Sequence, residues 1–174
     1  VEARIGASVM LGPLNGQMWS FIHAAGAALA TSRLLGLDAG QTASALGIAL
    51  SQPNRPTNAG FSRGDAKLLT AALPISQGVN AARFAKAGLK GNEDILENKY
   101  GFCAAFSYTP LLQALAGLGR TWLSDTLSYK IYPGCAYMDA PLDCTFEILK
   151  AHRFSAADVE RIDVHSSVVT QQLE

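Results

Sequence analysis

Apolar positions along the first two thirds of the chain repeat at helical spacing. The stretch AAGAALATSRLLGLD, residues 24–38, is dense in alanine and leucine, both strong helix formers, and its small residues would let neighbouring backbones approach closely. Gly36 followed by Leu37 is the pattern of a helix ending on a left-handed residue with an apolar residue closing the end. Asp38 and Gln41 form a capping-box signature, and Ala39, Ala43, Leu46 and Leu50 recur at four–three–four spacing, which predicts a second helix with one buried face. It stops before Pro53. Residues 51–64, SQPNRPTNAGFSRG, concentrate turn-forming types and predict a loop able to carry binding groups.

From Asp65 the spacing resumes through Leu68, Ala72, Ile75, Val79 and Ala82, and Gly88 with Leu89 repeats the glycine stop. Pro74 falls inside this run. Because proline removes a donor and clashes one turn back, a kink near 70–74 or a junction of two helices is expected. The aromatic turn ENKYGFCAAFSYTPLL leads toward a short helix near 109–117, and GLGRTW breaks the pattern. After Trp122 the character changes. LSYKIYP and VERIDVHSSVV alternate in the manner of strands, while APLDCTFEILKAH has helical spacing at Leu142, Phe146 and Leu149. The expected class is therefore α+β, mostly α: a helical portion over residues 1–126, then the beginning of a small α+β domain over 127–174. There is no internal repeat.

Composition narrows the function classes. With 14 basic against 14 acidic residues in 174 and 49% apolar content, no global field attracts nucleic acid or an anionic membrane. No uncharged apolar run approaches the roughly 18 residues of a membrane span, and the first residues lack the order of a signal peptide. Cys103, Cys135 and Cys144 are odd in number and form no CxxC pair, so free thiols in a reducing, cytoplasmic setting are expected, with no zinc site. The chain opens at Val1 and closes at VVTQQLE without a stop signal, the pattern expected of a piece of something longer. Dinucleotide, P-loop, zinc-protease and nucleophile-elbow signatures are absent.

Three stretches could carry chemistry. SRGDAK places Arg63, Gly64, Asp65 and Lys67 before an apolar helix, where unpaired N–H groups favour anions; the plainer alternative is two solvated cations with Asp65 as a helix N-cap. YKIYPGCAYMDAP carries Lys130 and Tyr132 into a turn at Pro133 and Gly134, with Asp139 at the following helix start. Such turns gather donors at one mouth, though a structural turn with an edge lysine fits equally. His23 sits among apolar neighbours in GQMWSFIHAAG, as a catalyst or as a satisfied boundary residue. Cys135 lies in the turn with no visible base, and His152 and His165 stand alone.

Taken in order, HAAGAALATSRLLGLDAGQTASALGIALSQ, GDAKLLTAA, GLKGNEDILENKYGFCAAFS, YKIYPGCAY and VERIDVHSS resemble the MmgE/PrpD family, which includes 2-methylcitrate dehydratase and cis-aconitate decarboxylase. The resemblance covers nearly the whole chain and places it in the middle of a longer protein, at the end of the helical domain and the start of an α+β lid. It implies a homodimeric lyase without cofactor or metal, acting on a small polycarboxylate by dehydration or decarboxylation. The family's two lysines fall on Lys67 and Lys130, with Arg63, Gly64, Asp65 and Tyr132 as further binding positions. Two family histidines fall instead on Gln17 and Asp139. Gln17 cannot carry a proton, which leaves Asp139, or His23 about 9 Å further along the helix, to serve as base; Asp139 is equally a candidate helix N-cap. The substitutions also allow a non-catalytic relative that acts as a small-acid binding or scaffold protein.

Overall fold

Local end chemistry dictates where the central helices begin and stop. In the computed structural model, which describes residues 1–13, 19–62 and 64–167, the Asp38 carboxylate accepts the Gln41 N–H at 2.7 Å and the Gln41 side chain accepts the Asp38 N–H at 3.1 Å. This closed capping box opens helix α3, Ala39–Ser51. The preceding helix α2, His23–Leu34, ends at Gly36 with φ +66°. There the Leu37 N–H reaches Ser32 O at 3.0 Å and the Gly36 N–H reaches Arg33 O at 3.3 Å, the two bonds of a Schellman end. Helix α5, Leu69–Lys86, closes the same way at Gly88, where the Leu89 N–H meets Phe84 O at 3.0 Å.

The chain divides into two compact units, Val1–Leu123 and Ser124–Glu174. In the first, α1 (Glu2–Ser8), α2, α3, the short α4 (Asn58–Ser62), α5 and α6 (Phe102–Phe106) follow in order, and α2, α3 and α5 pack on one another. Ile5, Val9, Phe21, Ile22, Ala25, Leu50, Phe102 and Cys103 form the largest buried cluster, with Phe21, Phe102 and Phe106 ring to ring at centroid separations of 4.9 to 5.9 Å. Aromatic pairs at such separations add to plain area burial. Buried Arg4 donates to Ala114 O at 2.9 Å, Ala116 O at 2.5 Å and Thr121 O at 2.8 Å, tying α1 to the segment that ends the unit.

Helix faces differ from the spacing-based expectation. On α5 the buried residues are Pro74, Gly78, Ala81, Ala82 and Ala85, whereas Leu68 is 80% and Ile75 44% exposed. On α3 they are Ser44, Ala45, Gly47, Ala49 and Leu50. The small residues face the neighbouring helices because only they permit such close backbone approach: a β-carbon on Gly78 would run into the Ala24 carbonyl oxygen and lie 2.8 Å from Ala27 Cβ. Residues 65–68 form a 3₁₀ turn and α5 starts at Leu69, running through Pro74. Proline there leaves the Thr70 carbonyl without its intrahelical donor. The helix expected near 109–117 is reduced to a 3₁₀ turn, Leu112–Leu115.

The second unit corrects the α+β expectation. Among the described residues there is no strand, and the chain is helical with connecting turns and irregular segments. LSYKIYP is irregular and bent, and residues 159–167 have no regular structure; the rest of VERIDVHSSVV lies outside the described residues. Alternation alone does not make a strand, because a strand exists through its ladder of hydrogen bonds to a neighbour, and no such ladder joins these two segments among the described residues. The regular elements of this unit include α7, Asp139–Ala151, preceded by the 3₁₀ turn Ala136–Met138 and followed by another, Ala156–Asp158.

No helix among the described residues is long and apolar enough to cross a membrane. All three cysteines are unpaired, Cys103 buried and Cys135 and Cys144 exposed. Burial pushes the Cys103 thiol pKa up; the Ser8 hydroxyl hydrogen bond partly offsets that and the Glu97 charge adds to it. Labelling with a thiol reagent at mildly alkaline pH should therefore modify Cys135 and Cys144 quickly and Cys103 only on unfolding, since the thiolate is the reacting species. Mass spectrometry of timed samples checks this. Three equally fast modifications would contradict the buried position.

Candidate functional site

Lys67 sits on the 3₁₀ turn Asp65–Leu68 that leads into α5. The turn starts from Gly64 at φ +128°, a region that residues with a β-carbon rarely enter, so glycine is required where the loop bends into the helix. Gly64 itself is the capping residue, and Asp65 makes no side-chain cap bond; the N-cap reading of Asp65 is corrected. The Lys67 N–H meets Gly64 O at 3.3 Å, and the Thr70 hydroxyl donates to Lys67 O at 2.7 Å. These bonds fix the lysine's backbone and leave its side chain exposed.

The Lys67 ammonium lies 4.8 Å from the ring centroid of Phe61, on α4. Among the described residues it has no carboxylate in ion-pair range. Beside the turn runs a groove of about 220 Å³, lined by Asn54, Arg55, Thr57, Gly60, Ala66 and Thr70 among others. Arg55 is the charged group in that lining. Arg63 lies outside the described residues.

Gly64, Asp65 and Lys67 thus share one turn of the first unit. His23, at the start of α2, is elsewhere in that unit, with Nδ1 at 2.5 Å from Glu2 Oε1 on α1. A carboxylate in that position orients an imidazole. Gln17 lies outside the described residues.

Lys130, Tyr132 and Asp139 belong to the second unit. The Lys130 ammonium donates to Gly134 O at 2.6 Å and so closes its own turn. The Tyr132 hydroxyl donates to Asp143 Oδ1 at 2.6 Å, and its ring stacks on Phe146 at 6.0 Å. That hydrogen bond to a carboxylate raises the Tyr132 pKa above the ordinary phenol value. Asp139 is the first residue of α7, the cap position belonging to Met138 without a side-chain cap bond. Its Oδ1 is buried and unpartnered among the described residues, so Asp139 does not serve as an N-cap either.

Glu2, Arg55 and Phe61 escaped the sequence reading. Arg55 stands between an asparagine and a proline inside the loop that the turn residues marked, and loop membership was the available signal for it. Phe61 lay in the same stretch, but no pattern pairs it with Lys67, because the contact spans the bend at Gly64. Glu2 meets His23 across 21 residues, a pairing no local pattern encodes. Among the described residues, no group of three or more histidine, cysteine or acidic side chains is placed to hold a metal ion.

The family model described as the MmgE/PrpD N-terminal domain matches residues 2–114. The chain belongs to the MmgE/PrpD family, a family of dehydratase- and decarboxylase-like enzymes of the lyase type. No match to a curated protein or to a solved structure was found.

Proposed function

We propose that this protein is a lyase acting on a small di- or tricarboxylate, by dehydration of a 2-methylcitrate-like acid or decarboxylation of a cis-aconitate-like one. The observation that carries the reading is the family match over residues 2–114, which includes an exposed turn where Lys67 has no carboxylate in ion-pair range among the described residues. In this reading Lys67 and Lys130 bind substrate carboxylates, with Arg63, Tyr132 and the backbone at Gly64 and Asp65 assisting. Dehydration requires a base to take the proton beside a carboxylate while hydroxide departs with a proton from an acid. Decarboxylation leaves an electron pair on carbon that is then protonated. Both build negative charge next to a carboxylate, and fixed cations stabilise it.

Asp139 or His23 would move the proton. The protein would act without cofactor, as a homodimer. A direct test supplies the complete protein with 2-methylcitrate, citrate and cis-aconitate, following ultraviolet absorbance of an unsaturated acid and release of carbon dioxide. Turnover of one of them is expected, and the product identifies the reaction. No turnover of any acid, together with calorimetrically measurable binding, would replace the lyase reading with that of a small-acid binding protein.

A further inference from the structure

We propose that Phe61 is a positioning residue for Lys67, its ring face holding the ammonium at the point where a small polycarboxylate is bound. The inference rests on the functional reading above. Lysine carries four rotatable side-chain bonds, and an exposed ammonium on such a stem samples many positions unless something holds it. A carboxylate could hold it, but would also spend the charge meant for the substrate. An aromatic face holds a cation by its quadrupole without supplying a hydrogen-bond acceptor or a negative charge.

The geometry fits this division of labour. Phe61 is part of α4, is partly buried, and places its centroid 4.8 Å from Lys67 Nζ, inside the range of about 6 Å over which the attraction operates. The ammonium lies over the ring face, a contact that uses no hydrogen-bond acceptor. Lys67 and Phe61 are joined through the bend at Gly64, and Gly60 and Ala66, their chain neighbours, both line the groove beside the turn. The aromatic contact and the groove are therefore parts of one loop.

The test uses the complete protein and two readouts. The first is the proton resonance of the Lys67 ε-methylene in isotope-labelled protein, assigned by its loss in Lys67→Ala. Ring current from Phe61 should move it upfield, Phe61→Leu should abolish the displacement, and Phe61→Trp should keep it. The second is kcat/KM on the substrate found above. Phe61→Leu should lower it about two- to fivefold, the effect of one exposed cation–aromatic contact, Phe61→Trp should restore it, and progressive ring fluorination should lower it stepwise at nearly constant size. A ring that merely filled space would show no such trend. An undisplaced resonance, or Phe61→Leu activity equal to the parent while Lys67→Ala is inactive, overturns this inference and leaves the lyase reading standing. Full activity in Lys67→Ala removes the lysine from the site and overturns this inference, whereas the lyase reading falls only if the parent protein turns over none of the acids.

Discussion

Gly78→Leu is expected to unfold the first unit or lower its stability by about 3 kcal/mol or more, the upper range for overpacking. The obstacle is backbone. A β-carbon at Gly78 meets the Ala24 carbonyl oxygen and lies 2.8 Å from both Ala27 Cβ and Ala28 N, so no side-chain rotation relieves the clash, and α2 and α5 would have to separate. Even Gly78→Ala should destabilise, although alanine is favoured over glycine in a helix by about 0.5–1 kcal/mol. Gly40, on α3, provides the internal comparison. A β-carbon there would find only the Asp38 carboxylate, at 3.6 Å, so Gly40→Ala should gain that propensity term. Thermal unfolding followed by circular dichroism checks the pair. Opposite signs are expected, with a Tm loss of about 6–12 °C if the cost in Gly78→Leu is near 3 kcal/mol. Equal and positive shifts would mean that α2 and α5 do not meet at Gly78.

Lys67→Ala should reduce turnover of the preferred polycarboxylate by about two to three orders of magnitude, the usual cost of removing one group that stabilises developing negative charge. Its stability should remain within about 0.5 kcal/mol of the parent, because the side chain is exposed and makes no ion pair among the described residues. Loss of rate without loss of fold is the informative combination. Lys67→Arg should recover little, since a planar guanidinium fork differs from a compact ammonium in reach and donor geometry. Initial rates with unfolding curves for the same preparations decide it. A Lys67→Ala enzyme turning over within about threefold of the parent would remove the lysine from the mechanism, since a charge-assisted contact is worth more than that.

The two experiments probe features of unequal legibility. Lys67 stood out because an Arg–Gly–Asp–Ala–Lys string precedes an apolar run, and the family match includes it. Gly78 did not. Within LPISQGVNAARFAK it reads as one more small residue in a helix, and its importance comes from Ala24, 54 positions earlier. Arg55 and Phe61 form an intermediate case. Their loop was visible in its prolines, glycine and asparagines, yet nothing in the string tells which side chain turns toward the lysine.

Helix ends were readable because their chemistry is local. The Asp38–Gln41 box and the glycine stops at Gly36 and Gly88 each involve bonds across no more than five residues, so the types of a few neighbours settle them. Burial and pairing obey another rule. Leu68 and Ile75 are exposed although they follow the apolar spacing, because α5 turns its glycine and alanines toward α2 and α3, where closeness of approach outweighs the area a larger side chain could bury. LSYKIYP alternates as a strand would, yet has no ladder partner among the described residues. A hydrogen-bonded ladder needs two segments side by side, and a close helix crossing needs two small faces meeting. Neither condition is a property of one stretch of chain, so both were settled when distant segments came together.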